Sequence, residues 1–116
     1  MKKMTIAQLR EKELEKLATI TGDHEKARNL MNRYYRLAGL DWYLVHADND
    51  EKLCNTPYVA KQHEKWNRMY KRLNDDFMQY GLTLAYSGIM PRIVKHEPNK
   101  PGIGADVINT YFYQYR

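Results

Sequence analysis

The first part of the chain repeats apolar residues at intervals of three and four, the spacing of amphipathic helices. Thr5 is suited to cap the first of these segments, and Gly22 is suited to end it. The apolar residues between them fall within an arc of roughly 140°, and Glu13 lies inside the same arc. The pattern predicts a helix with one buried face that is interrupted by a single carboxylate.

A second amphipathic segment begins after Asp23, with apolar residues recurring from position 27 to position 38. We expect Gly39 to end this helix and Asp41 to cap a short third segment, WYLVHA, which is too brief to be typed by its periodicity. The polar stretch DNDEKLCN that follows is typical of a loop or frayed turn.

The strongest helix signal is Thr56-Pro57, a capping hydroxyl followed by proline at the first helical position. From Val59 onwards apolar and aromatic residues alternate steps of four and three, and His63 falls on the same face. The pattern predicts one long helix over residues 57–80, ended by Gly81.

After Gly81 the apolar period changes from 3.6 to two, which indicates β-strands. We expect strands at LTLAYS, at PRIVK and at VINTYFYQY, with a turn at Ser87-Gly88 and a Pro/Gly-rich loop at HEPNKPGIGAD. The fold class is therefore α+β, with a helical N-terminal two-thirds and a small C-terminal antiparallel sheet. About three helices, one of them long, would form a single domain with this sheet over residues 1–116.

Composition narrows the class of protein further. The chain has 116 residues, 43% of them hydrophobic, which suits one domain with a true core. Its one cysteine, Cys54, excludes an internal disulfide, and no apolar run is long enough to span a bilayer. We therefore expect no membrane partner and a reducing compartment, most simply a bacterial-type cytoplasm. The net charge of +5 favours acidic partners.

The candidate binding surface is a row of cations on the long helix that lies within an arc of roughly 60°. It consists of Lys61, Lys65, Arg68 and Arg72. Phosphates or an acidic protein surface would attract such a row. The alternative is an ordinary solvated face, in which Glu64 pairs with Arg68 and Asp76 pairs with Arg72. The solvated face is the more common outcome of such a charge run.

A second candidate is the C-terminal tyrosine cluster, in a chain with ten tyrosines and only two phenylalanines. Tyr111, Tyr113 and Tyr115 share one face of the last predicted strand. An open face would offer these rings for stacking on bases or docking on a partner. Core packing is the favoured alternative, because a small sheet needs one covered face.

No spacing in the chain predicts catalytic, metal or cofactor chemistry. His63 lacks the second histidine of a metalloprotease helix, and the GIG at 102–104 lacks the rest of a phosphate loop. Asp75 and Asp76 are sequence neighbours and do not face each other on a helix. We expect His63 to be a hydrogen-bonded core residue, and we expect the protein to be no enzyme, with no metal and no cofactor.

The segment YKRLNDDFMQYGLTLAYSGIMPRI, about a fifth of the chain, resembles one in small uncharacterised proteins of Gram-positive phages and mobile elements. The matching residues are Tyr80-Gly81-Leu82, Tyr86 and the stretch from Gly88 to Pro91. The resemblance implies an accessory protein that binds either nucleic acid or host defence machinery, and anti-CRISPR proteins are a prominent class of the second kind. Many of those inhibitors are acidic mimics of nucleic acid, and a chain of charge +5 departs from that pattern.

Three functional hypotheses follow. The first is a non-enzymatic phage or mobile-element protein that binds a host protein or nucleoprotein complex and modulates host nucleic-acid machinery, as an anti-defence inhibitor. The second is a small DNA- or RNA-binding accessory or regulatory protein. The third is a self-associating module, a homodimer built on the long helix or on the last strand.

Overall fold

The computed structural model describes residues 5–87 and 90–96. Three helices are followed by two strands in this part of the chain, which confirms the α+β class and the helical N-terminal region. The elements are α1 (Ile6–Thr21), α2 (His24–Asp48), α3 (Pro57–Met78), β1 (Leu82–Ser87) and β2 (Met90–Lys95).

The helix ends follow the capping chemistry that the sequence predicts. Thr5 and Gln8 form a reciprocal capping box at the start of α1, and Gly22 ends that helix in the left-handed conformation at φ 72°. The carboxylate of Asp23 accepts hydrogen bonds from two backbone N–H groups in the first turn of α2. Thr56 accepts a bond from the N–H of Val59 at the start of α3.

The prediction that Gly39 ends the second helix is wrong. Helix α2 continues through Gly39 to Asp48 and includes the WYLVHA segment. Asp41, predicted to be a cap, lies inside α2 with only 5% of its surface exposed. Glycine costs a helix about 1 kcal/mol, whereas the buried stripe of α2 continues past it through Leu44 and Ala47. Because the carboxylate of Asp41 interrupts the apolar residues of this stripe, the stripe does not look continuous in the sequence.

Helix α2 is the centre of the packing. Helices α1 and α3 both pack against it, and α3 also packs against β1 while α2 contacts β2. The main core joins all three helices to both strands. Its most deeply buried side chains include Leu17, Tyr34, Leu37, Phe77 and Ile93.

Strands β1 and β2 form an antiparallel pair in which Leu84 lies opposite Ile93. Helix α3 holds this pair through side-chain bonds to the backbone of β1. The Tyr70 hydroxyl donates to the carbonyl of Leu84, and the Asn74 side-chain carbonyl accepts from the Leu84 N–H at 2.7 Å. The turn predicted at Ser87-Gly88, the loop beyond position 96 and the third strand lie wholly or largely outside the described residues.

Candidate functional site

The four predicted cations of α3 are all solvent-exposed, but they do not act as one row. Lys65 and Arg72 line a groove between α2 and α3. Arg68 is displaced from Arg72 by roughly 40° around the helix axis. Neither Lys61 nor Arg68 is part of the groove lining.

The α2–α3 groove has a volume of about 720 Å³ and cations on both walls. Arg33 and Arg36 of α2 face Lys65 and Arg72 of α3. The apolar side chains of the lining are Leu40, Met69 and Leu73. Leu73 is buried, whereas Leu40 and Met69 are half-buried and present apolar atoms to a ligand.

The charges of the groove are only partly neutralised. Arg33 donates to Asp76 at 2.6 Å, in a contact between α2 and α3. Within the described ranges, neither Arg36, Lys65 nor Arg72 lies within salt-bridge distance of a carboxylate. Like charges gathered without partners repel one another, so the groove favours an anionic occupant.

The helix-surface pairs expected in the sequence, Glu64 with Arg68 and Asp76 with Arg72, are not formed between these described residues. Asp76 pairs across the helix interface with Arg33 instead. A side chain at a helix interface can reach the neighbouring helix as readily as its own next turn, and periodicity within one helix does not reveal that choice.

Asp76 also marks one end of the α2–α3 groove. Beyond it lies a second depression of about 420 Å³, which shares Arg33 with the groove and is lined by side chains of both charges, Asp76 among them. These include Glu25 and Lys26 of α2. The positive field is therefore concentrated on the side of the Arg33–Asp76 contact that carries Arg36, Lys65 and Arg72.

Arg33 and Arg36 are the groove residues that sequence reasoning missed. They are three residues apart, which places both on the same side of α2. Consecutive helices joined by a short loop usually pack side by side, so a search for cations at the edges of both apolar stripes would have found the pair.

Other predicted site residues have different outcomes. Tyr111, Tyr113 and Tyr115 lie outside the described residues. The prediction that His63 belongs to the core is wrong, because nearly half of its side chain is exposed. Its Nε2 lies 2.8 Å from a carboxylate oxygen of Asp48, so it joins α3 to the end of α2 at the surface.

The opposite side of α2 carries a buried polar contact. Glu13 of α1 is only 4% exposed and accepts a hydrogen bond from the hydroxyl of Tyr35. The Arg10 guanidinium lies over the Tyr35 ring, 4.4 Å from its centroid. Burial, and then the hydrogen bond to Glu13, raise the pKa of Tyr35 far above its ordinary value. This tyrosine is fixed in its protonated, donating form.

Exposed aromatic side chains occupy the end of the molecule near the loop between α2 and α3. Trp42 is 38% exposed and packs edge-on against His46, and Tyr58 is 60% exposed. Tyr43 contacts Tyr58 across the two helices. These rings provide apolar surface outside the groove.

The described ranges contain neither a metal-binding cluster nor a membrane-spanning helix. No three His, Cys, Asp or Glu side chains come together there in an arrangement able to hold a metal ion. No helix there is both long and apolar enough to cross a membrane.

Comparison with protein-family models, with curated proteins and with solved structures finds no match to this chain. We therefore infer function from the chemistry of the α2–α3 groove.

Proposed function

We propose that this protein is a non-enzymatic binding protein that modulates host nucleic-acid machinery by holding the phosphates of a nucleic acid in the α2–α3 groove. The observation that carries the proposal is the set of four cations on facing walls, only one of which has a carboxylate partner among the described residues. The nucleic acid is either free or part of a host nucleoprotein complex.

The composition of the walls favours phosphate over other anions. Three of the four cations are arginines, whose planar guanidinium groups bind phosphate oxygens through two parallel hydrogen bonds. Neutralising phosphates also releases counterions, which supplies most of the affinity of nonspecific nucleic-acid binding. An exposed cluster of like charges contributes little to the stability of the folded protein itself.

The groove favours binding over catalysis. Its described lining consists of arginine, lysine, leucine and methionine side chains, without a histidine, carboxylate, thiol or hydroxyl. Acid–base and nucleophilic catalysis usually draw on those absent groups. We therefore assign the groove no reaction.

The biological setting belongs to the same proposal and rests on the resemblance around Tyr80-Gly81-Leu82. That resemblance supports an origin in a phage or mobile element, action in the cytoplasm of a bacterial host and an anti-defence role. A basic groove suits an inhibitor that grips nucleic acid within a host complex better than one that imitates nucleic acid.

A host protein is the second candidate partner. The exposed Trp42 and Tyr58 favour it, because aromatic residues are enriched at the centres of protein interfaces. Self-association through the last predicted strand stays a prediction, since that strand lies outside the described residues.

Capture from a bacterial lysate, with and without nuclease, tests the proposal. The wild-type chain is compared with Arg36→Ala/Arg72→Ala and with the charge-matched control Lys12→Ala/Lys16→Ala on α1. We expect nucleic acid to be retained by the wild type and the control and lost by the groove variant. A protein complex that survives nuclease and depends on Trp42 would support the second candidate instead.

A further inference from the structure

We infer that the occupant of the α2–α3 groove is a single strand of nucleic acid, with its phosphates on the cationic walls and its bases against the apolar floor. The inference rests on the proposed function and adds the form of nucleic acid. The observation behind it is the apolar floor of Leu40, Met69 and Leu73 between two rows of cations.

A duplex would make poor use of this floor. It presents phosphates and sugars on its outside, whereas its base faces are stacked against one another and only base edges reach the grooves. A single strand has free aromatic base faces as well as phosphates. Cations on both walls with apolar atoms between them therefore match a single strand more closely.

The side chains on the floor and walls are suited to contact bases. Met69 is half-buried at the groove, and a thioether makes favourable contacts with aromatic rings. The guanidinium planes of Arg36 and Arg72 can stack on bases as well as pair with phosphates. Binding through such faces is tolerant of sequence, so we expect weak sequence preference.

The length of the groove sets the size of the site. From Arg33 to Leu40 the axis of α2 advances about 10 Å, and Lys65 and Arg72 are separated by the same number of residues on α3. This distance corresponds to about three stacked nucleotides at roughly 3.4 Å each. Three or four neutralised phosphates predict a slope of log affinity against log salt between about −2 and −3 for a single strand.

An acidic peptide is the competing occupant. Its carboxylates would also bind the walls, but an extended peptide additionally needs partners for its backbone N–H and C=O groups. The described lining of the groove includes no neutral polar side chain, and its helical backbone is already hydrogen-bonded. A single strand can place its aromatic base faces on the apolar floor while the polar edges of its bases stay in solvent.

Fluorescence anisotropy with labelled oligonucleotides tests the inference. A single strand, as DNA and as RNA, is compared with the duplex of the same sequence and length over a range of salt concentrations. We expect the single strand to bind at least about tenfold more tightly than the duplex, which is one 1.4 kcal/mol step.

Three variants of the full chain, with a fourth as the control on α1, separate the contributions of wall and floor. Arg36→Ala should weaken binding and reduce the salt slope by about 0.7. Met69→Ala should weaken single-strand binding with the slope unchanged, because apolar contacts release no counterions. Met69→Leu, which keeps the side-chain volume, checks that any loss of binding in Met69→Ala is not due to misfolding. Lys16→Ala on α1 should change neither the affinity nor the salt slope.

Each contrary result has a distinct meaning. Equal or tighter binding of the duplex overturns the inference and leaves the proposed function standing. Unchanged single-strand binding in a folded Met69→Ala variant also overturns it. No binding of either form at low salt overturns the proposed function as well, and capture of a polyglutamate peptide in place of the oligonucleotides would assign the groove to acidic peptides.

Discussion

Charged side chains lie along both flanks of helix α2, buried where α1 packs and exposed where α3 packs. Towards α1, Glu13 is buried and takes a hydrogen bond from Tyr35. Towards α3, Arg36 and Arg72 face open solvent in a groove, with no carboxylate in salt-bridge range among the described residues. The α1 flank has the pattern of a structural contact, and the α3 flank has the pattern of a binding site.

The difference follows from what burial costs. A carboxylate removed from water is penalised by several kcal/mol unless it is hydrogen-bonded, so the bond from the Tyr35 hydroxyl to Glu13 contributes to the stability of the fold. An exposed arginine keeps its hydration and contributes little to folding. When stability and binding are measured on the same variants, substitutions on the α1 flank should therefore change stability and leave binding unchanged. Substitutions on the α3 flank should change binding and leave stability nearly unchanged.

The largest difference in unfolding free energy is expected between substitutions of two neighbouring residues of α2. Leu37 is fully buried and Arg36 is exposed at the groove. Leu37→Ala should lower the free energy of unfolding by about 2–5 kcal/mol through loss of burial and formation of a cavity. Arg36→Ala should change it by no more than about 0.5 kcal/mol. Urea denaturation of both variants measures this contrast, and a large loss for Arg36→Ala would make that arginine structural.

Tyr35→Phe tests the α1 flank. It removes the hydroxyl that donates to Glu13 and leaves a buried carboxylate oxygen without this donor. We expect a loss of about 1–3 kcal/mol in unfolding free energy, with nucleic-acid binding unchanged. Thermal unfolding and anisotropy on the same sample provide the two values. Weakened binding at unchanged stability would contradict the division between the flanks.

Alkaline pH should act on the same contact. Below roughly pH 10 the hydroxyl of Tyr35 is protonated in both the folded and the unfolded chain. Above that pH the unfolded chain releases the proton while the folded chain keeps it, because burial and Glu13 raise the pKa of this tyrosine. Stability should therefore fall as the pH rises above about 10.

Tyr35→Phe should reduce this alkaline loss of stability without abolishing it. Burial also raises the pKa of Tyr70, whose hydroxyl donates to the carbonyl of Leu84. Unfolding curves collected across the alkaline range for the variant and the wild type make the comparison. Identical pH profiles would contradict the assignment of Tyr35.

The smallest effect on binding is expected from substitution of Asp76, at the boundary of the groove. Asp76 neutralises Arg33 through a partly exposed contact, and such a pair contributes at most about 1 kcal/mol to stability. Asp76→Asn frees Arg33 for a phosphate, so affinity for a single strand should rise roughly two- to fivefold. Asp75→Asn, which removes the same charge from the exposed neighbouring position, is the matched control. A loss of affinity in Asp76→Asn would show that Asp76 positions the cation.

Much of the fold was predictable because its signals are local. Thr5, Asp23 and Thr56 mark helix starts by their own capping chemistry, and the switch to period two after Gly81 marks β1. The prediction at Gly39 was wrong because the cost of a glycine in a helix is small compared with the stabilisation from the side chains buried beyond it. That burial depends on α3, which a local pattern does not include.

The candidate site was only half predictable for the same reason. Lys65 and Arg72 stand out in the pattern of α3, whereas Arg33 and Arg36 gain meaning only when α2 packs beside it. The partner of Asp76 is likewise chosen between helices. Sequence periodicity identifies the face of one helix, and a groove requires the faces of two.

The most direct test of the account is the salt dependence of single-strand binding by the wild type and by Arg36→Ala/Arg72→Ala. We expect the wild type to bind at low salt and to weaken with a slope between about −2 and −3. We expect the double variant to remain folded, with the magnitude of its slope reduced by about 1.4. Wild-type and variant curves that coincide would contradict the assignment of the groove as the binding site.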